Sequence, residues 1–261
     1  MTAATFGVGD FAGGLATRRA RVIQVVAWSH VVGGIGAIVA SLLLAERFDW
    51  GDIGLGIIGG AFGVVGVGLL YRRLAVGPMS VVAPLTAITS AVVPGLWGLA
   101  GGDRFGTPGW VGLAVALVAV LLVSSSSDQP EGGSSPVTAQ VVIESLAAGA
   151  GFGLLFVFFD ATGSESAPWP VAGARVFTST VLLSFLLVVA RRQTSVDDGG
   201  PASASVVPRD GHSIGLIALA GVADTTANVT FLAATNAGQL TLVSVLASLY
   251  PVSTVLLARL V

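Results

Sequence analysis

Residues 238–261 read GQLTLVSVLASLYPVSTVLLARLV, and residues 77–100 read GPMSVVAPLTAITSAVVPGLWGLA. Each is an apolar run long enough to span a bilayer, which takes about 20 residues as helix. Laid together without gaps, Gly77 meets Gly238, Leu85 meets Leu246, Ala87 meets Ser248, Ile88 meets Leu249 and Ala100 meets Val261, at an offset of 161. An earlier pair, VVAWSHVV (25–32) and PVAGARVF (170–177), aligns at 145, so Ala27 meets Ala172, His30 meets Arg175 and Val31 meets Val176. The offsets differ by 16, which is also the difference between the 23-residue polar loop at 191–213 and its 7-residue counterpart ERFDWGD at 46–52. Identities are few, so this register carries the reading. The two halves agree in helix order and length, with one loop insertion.

Composition excludes a soluble domain. The apolar share is 54%, only 10% of residues are charged, and the mean hydropathy is +0.90. Soluble domains carry about 25% charged residues. A chain with so little charge cannot cover itself with a polar surface, but it can face lipid. Its 36 glycines allow helices to approach closely in a membrane. Small-xxx-small spacing at Gly56, Gly60 and at Gly59, Gly63 marks packing positions, not a phosphate loop. There is no Cys, which excludes disulfides and thiolate metal sites. All 12 basic residues are Arg, which we read as GC-rich, bacterial coding. The net charge of −2, with no basic block, argues against a nucleic-acid partner. MTAATFGVGDF (1–11) lacks the charged start of a removable signal peptide.

The apolar segments fall at 1–16, 22–45, 53–71, 79–100, 107–124, 139–159, 169–190, 213–234 and 239–261. The chain is expected to be an all-α integral membrane protein of two inverted five-helix repeats. The first repeat is 1–127, a Ser/Gly/Pro linker occupies 128–138, and the second repeat is 139–261. In the first half Ala100 is followed by a turn and a fifth segment, and the second half has no counterpart. The segment at 139–159 also starts earlier, in register, than the one at 1–16. The expectation is a ten-helix protein clipped at both ends, with about nine helices present. The alternatives are a natural nine-helix variant or a pseudogene product.

Several stretches together resemble the drug/metabolite transporter superfamily, EamA type. They are FGVGDFAGGLATRR (6–19), RRLAVGPMSVVAPLTAITSAVVP (72–94), GGDRF (101–105) with GWVGLAVALVAVLLV (109–123), and GQLTLVSVLASLYPVSTVLLA (238–258). The family's acidic-basic pair after the fourth helix is matched by Asp103-Arg104. The resemblance implies a secondary active transporter with a central cavity, often an exporter of metabolites or drugs, in a bacterial inner membrane. The residues point the same way. Five helices per half is an odd number, so the second half enters the bilayer from the opposite side. Inverted repeats are a basis of alternating access, with the site between them near the midplane. The alternatives are a lipid or lipid-linked sugar flippase of the same fold, or a non-transporting membrane enzyme or scaffold. No catalytic constellation, metal spacing or cofactor motif is visible, so an enzyme is not expected. The expected partners are a small-molecule substrate, the bilayer, and protons as a coupling ion.

Charged groups within spanning helices are costly and mark cavities or partners. Asp224 lies near the middle of the 213–234 segment, and Asn228 one turn later on the same face. They are read as a substrate- or proton-binding pair, or as polar groups bonding a neighbouring helix. Arg175 is a candidate for an anionic group or for pairing with Asp224, or else it snorkels to the interface marked by Trp169. His30 holds the repeat-equivalent place and is a candidate proton relay. Asp10 is on the first helix, where an acidic residue couples protons to substrate in the related four-helix multidrug exporters. Glu144 is read as interfacial. Pro84 and Pro251 are expected to kink their helices and free backbone carbonyls.

Eight arginines, at 18, 19, 21, 72, 73, 191, 192 and 209, cluster in the turns after the first, third and seventh segments. The opposite turns hold Arg47 and Arg104. The positive-inside rule puts the Arg-rich turns in the cytoplasm and the N-terminus outside.

Overall fold

The computed structural model describes residues 1–76, 79–104, 106–107, 109–111, 114–115, 118, 138–194, 206–208, 210–250, 252–253 and 256–257. Among these residues every regular element is helical. The helices are α1 (Thr2–Thr17), α2 (Val22–Leu44), α3 (Trp50–Val76), α4 (Met79–Gly101), α5 (Ala139–Asp160), α6 (Trp169–Thr194), α7 (Gly211–Ala237) and α8 (Leu240–Ala247), with a 3-10 turn at Ser164–Ser166. Helical residues also occur at 107, 109–111, 114, 115 and 118 in the segment predicted at 107–124. Most of that segment, the 128–137 linker and Pro251 lie outside the described residues.

Five helices are long and apolar enough to cross a membrane: Val22–Leu44, Trp50–Leu70, Ala139–Asp160, Trp169–Arg191 and Gly211–Ala237. The chain is a multi-pass membrane protein. Large apolar side chains such as Ile35, Val39, Leu42, Phe185 and Val222 point outward, as a lipid-facing surface requires.

Two boundaries differ from expectation. Arg72, Arg73 and Arg191 are in the last turns of α3 and α6, not in the loops beyond them. Their long stems carry the charge past the apolar span, and cations suit a helix C-terminus. The predicted 239–261 helix is interrupted, because α8 ends at Ala247 and 248–249 form a turn. Pro251 has no backbone N–H, so the Ala247 carbonyl, four residues earlier, has no helical donor to continue the run.

The principal packing joins residues before the linker to residues after it. α1 packs on α7, α2 on α6 and α7, α3 on α5 and α6, and α4 on α5 and α8. Contacts between α1 and α2, α3 and α4, or α7 and α8 are much lighter. Close approach is made by glycine. A Cβ at Gly56 would collide with the Pro170 backbone, and one at Gly60 would come within 2.9 Å of Ala174. A Cβ at Gly221 would collide with the Ser29 backbone. Gly221 follows Gly60 by 161 residues and Ala174 follows Ser29 by 145, so the two offsets carry one of these contacts onto the other.

Polar contacts gather at the two ends of the bundle. At the end holding the α1–α2 and α3–α4 turns, Arg19 pairs with Asp210 (3.6 Å) and Arg73 Nε with Glu144 (2.6 Å). At the other end Arg47 reaches Asp49 (3.2 Å) and Glu165 (3.8 Å), and the Ser166 hydroxyl donates to Asp52 (2.6 Å). There too the Thr241 hydroxyl donates to Asp103 (2.7 Å). Asp210 is also the N-cap of α7. It accepts from Ser213 Oγ (2.9 Å), Ser213 N (3.2 Å) and His212 N (3.3 Å). The Ser213 hydroxyl above all, then those backbone N–H groups and Arg19, holds its carboxyl below the usual carboxylate range.

Candidate functional site

One cavity of about 1160 Å³, counting the space at its open mouth, runs between the helices that precede and follow the linker. Asp224, Asn228, Arg175, His30 and Asp10 all line it. They come from α7, α6, α2 and α1, at or near mid-helix except for Arg175, which is two turns into α6.

Arg175 is the hub. Its side chain is 10% exposed, and its Nη2 forms an ion pair with Asp224 Oδ2. It therefore does not snorkel to the interface. Its Nη1 donates to His30 Nε2 at 2.7 Å. A ring nitrogen that accepts from a guanidinium carries no hydrogen, so the His30 proton belongs on Nδ1. Nδ1 lies 2.7 Å from Thr178 Oγ1, which completes a chain from Asp224 through Arg175 and His30 to Thr178. Assigned in this way, His30 is neutral, and Arg175 is its only cationic neighbour in the chain of bonds.

Asn228 turns its amide back on its own helix. Its Nδ2 donates to the Asp224 carbonyl (2.8 Å) and weakly to Asp224 Oδ1 (3.4 Å), which steadies the carboxylate from below. Asp224 itself is about one-third exposed, toward the cavity. Asp10 opens into the same cavity, on the helix that packs against α7. Two acidic side chains and one guanidinium thus share one cavity within an apolar bundle. Ionised and unpaired in lipid, each would cost at least several kcal/mol.

Sequence reasoning missed much of the wall. Thr178, one turn after Arg175, takes part in the bonded chain. Phe6, Phe156 and Tyr250 form an aromatic side, with Phe6 centred 6.1 Å from Phe156 and 6.3 Å from Tyr250. Ser90 and Ser248 add hydroxyls from the region around α4 and α8. Only Thr178 had a sequence signal, its helical spacing from Arg175.

Glu144 does not line this cavity and pairs with Arg73 and Arg72 at the bundle end. The side chain of Pro84 and all of Pro251 lie outside the described residues. Among the described residues no group of three His, Asp or Glu side chains could hold a metal ion.

No protein-family model and no curated protein matches the chain. Solved structures do. One, described only as a crystal structure of a protein, matches with a TM-score of 0.67 and 19% identity, over 99% of this chain and 88% of its own. At that identity the likeness is one of fold alone.

Proposed function

We propose that this chain is a secondary active transporter of the drug/metabolite transporter, EamA kind. It exports a small metabolite or drug-like molecule across the bacterial cytoplasmic membrane by alternating access of two inverted repeats. The observation that carries this reading is the Asp224–Arg175–His30 chain, set in a cavity walled by both halves of the molecule. An ion pair within an apolar bundle is costly unless it is hydrated or engaged. Lining a cavity between repeats is the arrangement that solute transport uses. The contact between His30 and Arg175 supports the repeat in particular. They are 145 residues apart, the repeat offset, and equivalent residues that touch each other lie on the axis relating the halves. Asp224 and Asp10 face the cavity, and the coupling ion on this reading is a proton.

The test is solute exchange by the purified protein in liposomes, using a panel of radiolabelled amino acids, amines, sugars and organic acids. Exchange of at least one solute, lowered at least about tenfold by Asp224→Asn, is the expected result. If nothing on the panel exchanges, and a Cys placed at Ser90 in the cavity reacts with impermeant maleimide from one side of the membrane only, the reading fails.

A further inference from the structure

The charged groups of the cavity do not balance. Among the described residues Arg175 is its only cation, and both arms of that guanidinium are taken, one by Asp224 and one by His30 Nε2 at 2.7 Å. With His30 neutral, ionised Asp10 and Asp224 leave one negative charge over. That charge falls to Asp10, which is exposed, lines the cavity and has no ion-pair or hydrogen-bond partner among the described residues.

A second polar group is short of a partner. Asn228 is 2% exposed, and its Nδ2 is turned back to the Asp224 carbonyl. Its Oδ1 is a buried acceptor with no hydrogen bond among the described residues. Such an acceptor is costly, and a donor brought by a ligand removes the cost.

The packing of α1 on α7 sets these two groups beside an aromatic wall. The helices run antiparallel: Thr2 Oγ1 lies 3.0 Å from Thr230 Oγ1, and a Cβ on Gly9 would lie 3.2 Å from Asp224 N. Asn228 falls between those two levels, near the height of Phe6, and Asp10 is one turn beyond Phe6 on the same face of α1. The Phe6 ring is centred 6.1 Å from Phe156 and 6.3 Å from Tyr250. Phe156 is itself fixed by stacking on buried Phe231, at 4.1 Å.

These observations specify a ligand. One positive charge satisfies Asp10, an N–H satisfies Asn228 Oδ1, and an aromatic body suits rings whose faces also attract cations. A carboxylate has no place here. To reach Arg175 it would have to displace Asp224 and leave that carboxyl unpaired in the same cavity as Asp10.

We propose that the α1–α7 side of the cavity is a subsite for a protonated primary amine on an aromatic body that carries no carboxylate. Asp10 and Asn228 Oδ1 receive its N–H groups, and Phe6, Phe156 and Tyr250 receive its ring. Asp10 sets the charge, and Asn228 selects an ammonium with N–H groups over a quaternary one. This inference rests on the transporter reading and names its substrate class.

The probe is tritiated phenethylamine, bound to the purified full chain in nanodiscs and measured by scintillation proximity. Phenylalanine, phenylacetate and trimethylated phenethylammonium share its ring and serve as competitors. Phenethylamine is expected to bind at least about tenfold more tightly than phenylalanine or the trimethyl compound, and phenylacetate is expected not to compete. Asp10→Asn should weaken phenethylamine at least about tenfold, and Asp10→Glu, which restores the charge, should recover most of the loss. Asn228→Ala should weaken phenethylamine about fivefold and leave the trimethyl compound unchanged, which also shows that this variant is folded. The proposal is overturned if phenethylamine does not bind at millimolar concentration, or if phenylalanine or phenylacetate binds as tightly. It is also overturned if Asp10→Asn binds phenethylamine like the parent. Amine binding without exchange in liposomes would leave this site standing and sink the transporter reading. Exchange of amino acids or organic acids by a protein that binds no amine would do the reverse.

Discussion

Arg175 holds Asp224 with one arm of its guanidinium and His30 Nε2, at 2.7 Å, with the other. It thereby ties α2, α6 and α7 together at one point in the cavity wall. Asn228 props the carboxylate, and Thr178 props the imidazole. Each group in this chain has little freedom to move unless its neighbour moves too.

Asp224→Asn is expected to insert and fold, because the amide keeps the size and much of the hydrogen bonding. Solute exchange should fall by at least about tenfold, the effect of losing roughly 1.4 kcal/mol of differential stabilisation. Thr226→Ala is the comparison, since the Thr226 hydroxyl donates to the Val222 carbonyl of its own helix and does not line the cavity. Normal exchange by Asp224→Asn at matched expression would make Asp224 structural.

His30→Leu removes the acceptor for Arg175 and the partner of Thr178 together. Stranding a buried polar group costs about 1–3 kcal/mol. The midpoint of thermal unfolding in detergent should drop by several degrees, at roughly 2–4 °C per kcal/mol for a chain of this size. His30→Gln, which can still accept from Arg175, should recover about half of the loss. Equal midpoints for His30→Leu and the parent would show that the bonded chain adds nothing to stability.

Gly56→Val should prevent folding or cost roughly 3 kcal/mol or more, because its Cβ would occupy the Pro170 backbone. Gly54→Ala in the same helix meets nothing within 4 Å and should be neutral or stabilising. The yield of monodisperse protein after extraction checks both. A well-folded Gly56→Val would mean that α3 and α6 are not in tight contact.

Asp210 makes a pH-dependent contribution whose sign follows from its bonds. Its folded carboxyl titrates below the unfolded value, so the stability it confers is present above about pH 4. That stability is lost as the pH falls through the folded value. Asp210→Asn should therefore lose less stability than the parent between about pH 5 and pH 3. Parallel acid titrations of the two, followed by circular dichroism, would refute the assignment.

Arg19 and Arg47 lie at opposite ends of the bundle, and both side chains are 60% exposed. With the Arg-rich turns in the cytoplasm, Arg47→Cys should react with impermeant maleimide in intact cells, and Arg19→Cys only after lysis. The reverse pattern would invert the orientation.

The helices were legible because apolar runs of membrane length stand out in any chain. Their ends were less so, since Arg72, Arg73 and Arg191 read as loop and are the last turns of helices. Asp224, Arg175, His30, Asn228 and Asp10 were visible as polar exceptions in apolar segments. The cavity's aromatic side was not. Phe6 and Tyr250 sit among other apolar residues, and nothing in the sequence distinguishes a cavity-facing ring from a lipid-facing one. The His30–Arg175 contact was implicit in the alignment that set one against the other. Drawing it required knowing that α2 packs directly on α6.

Because α1, α2, α3 and α4 find their main partners among α5 to α8, the order of synthesis matters. A ribosome delivers the first four helices to the bilayer well before the residues they pack against exist. During that interval Gly56 and Gly60 face lipid, and His30 has no Arg175. The first half must therefore persist as inserted but unpacked helices, open to proteases and to misassembly with neighbouring chains. The main packing of the first four helices can form only late in translation, once α5 to α8 arrive.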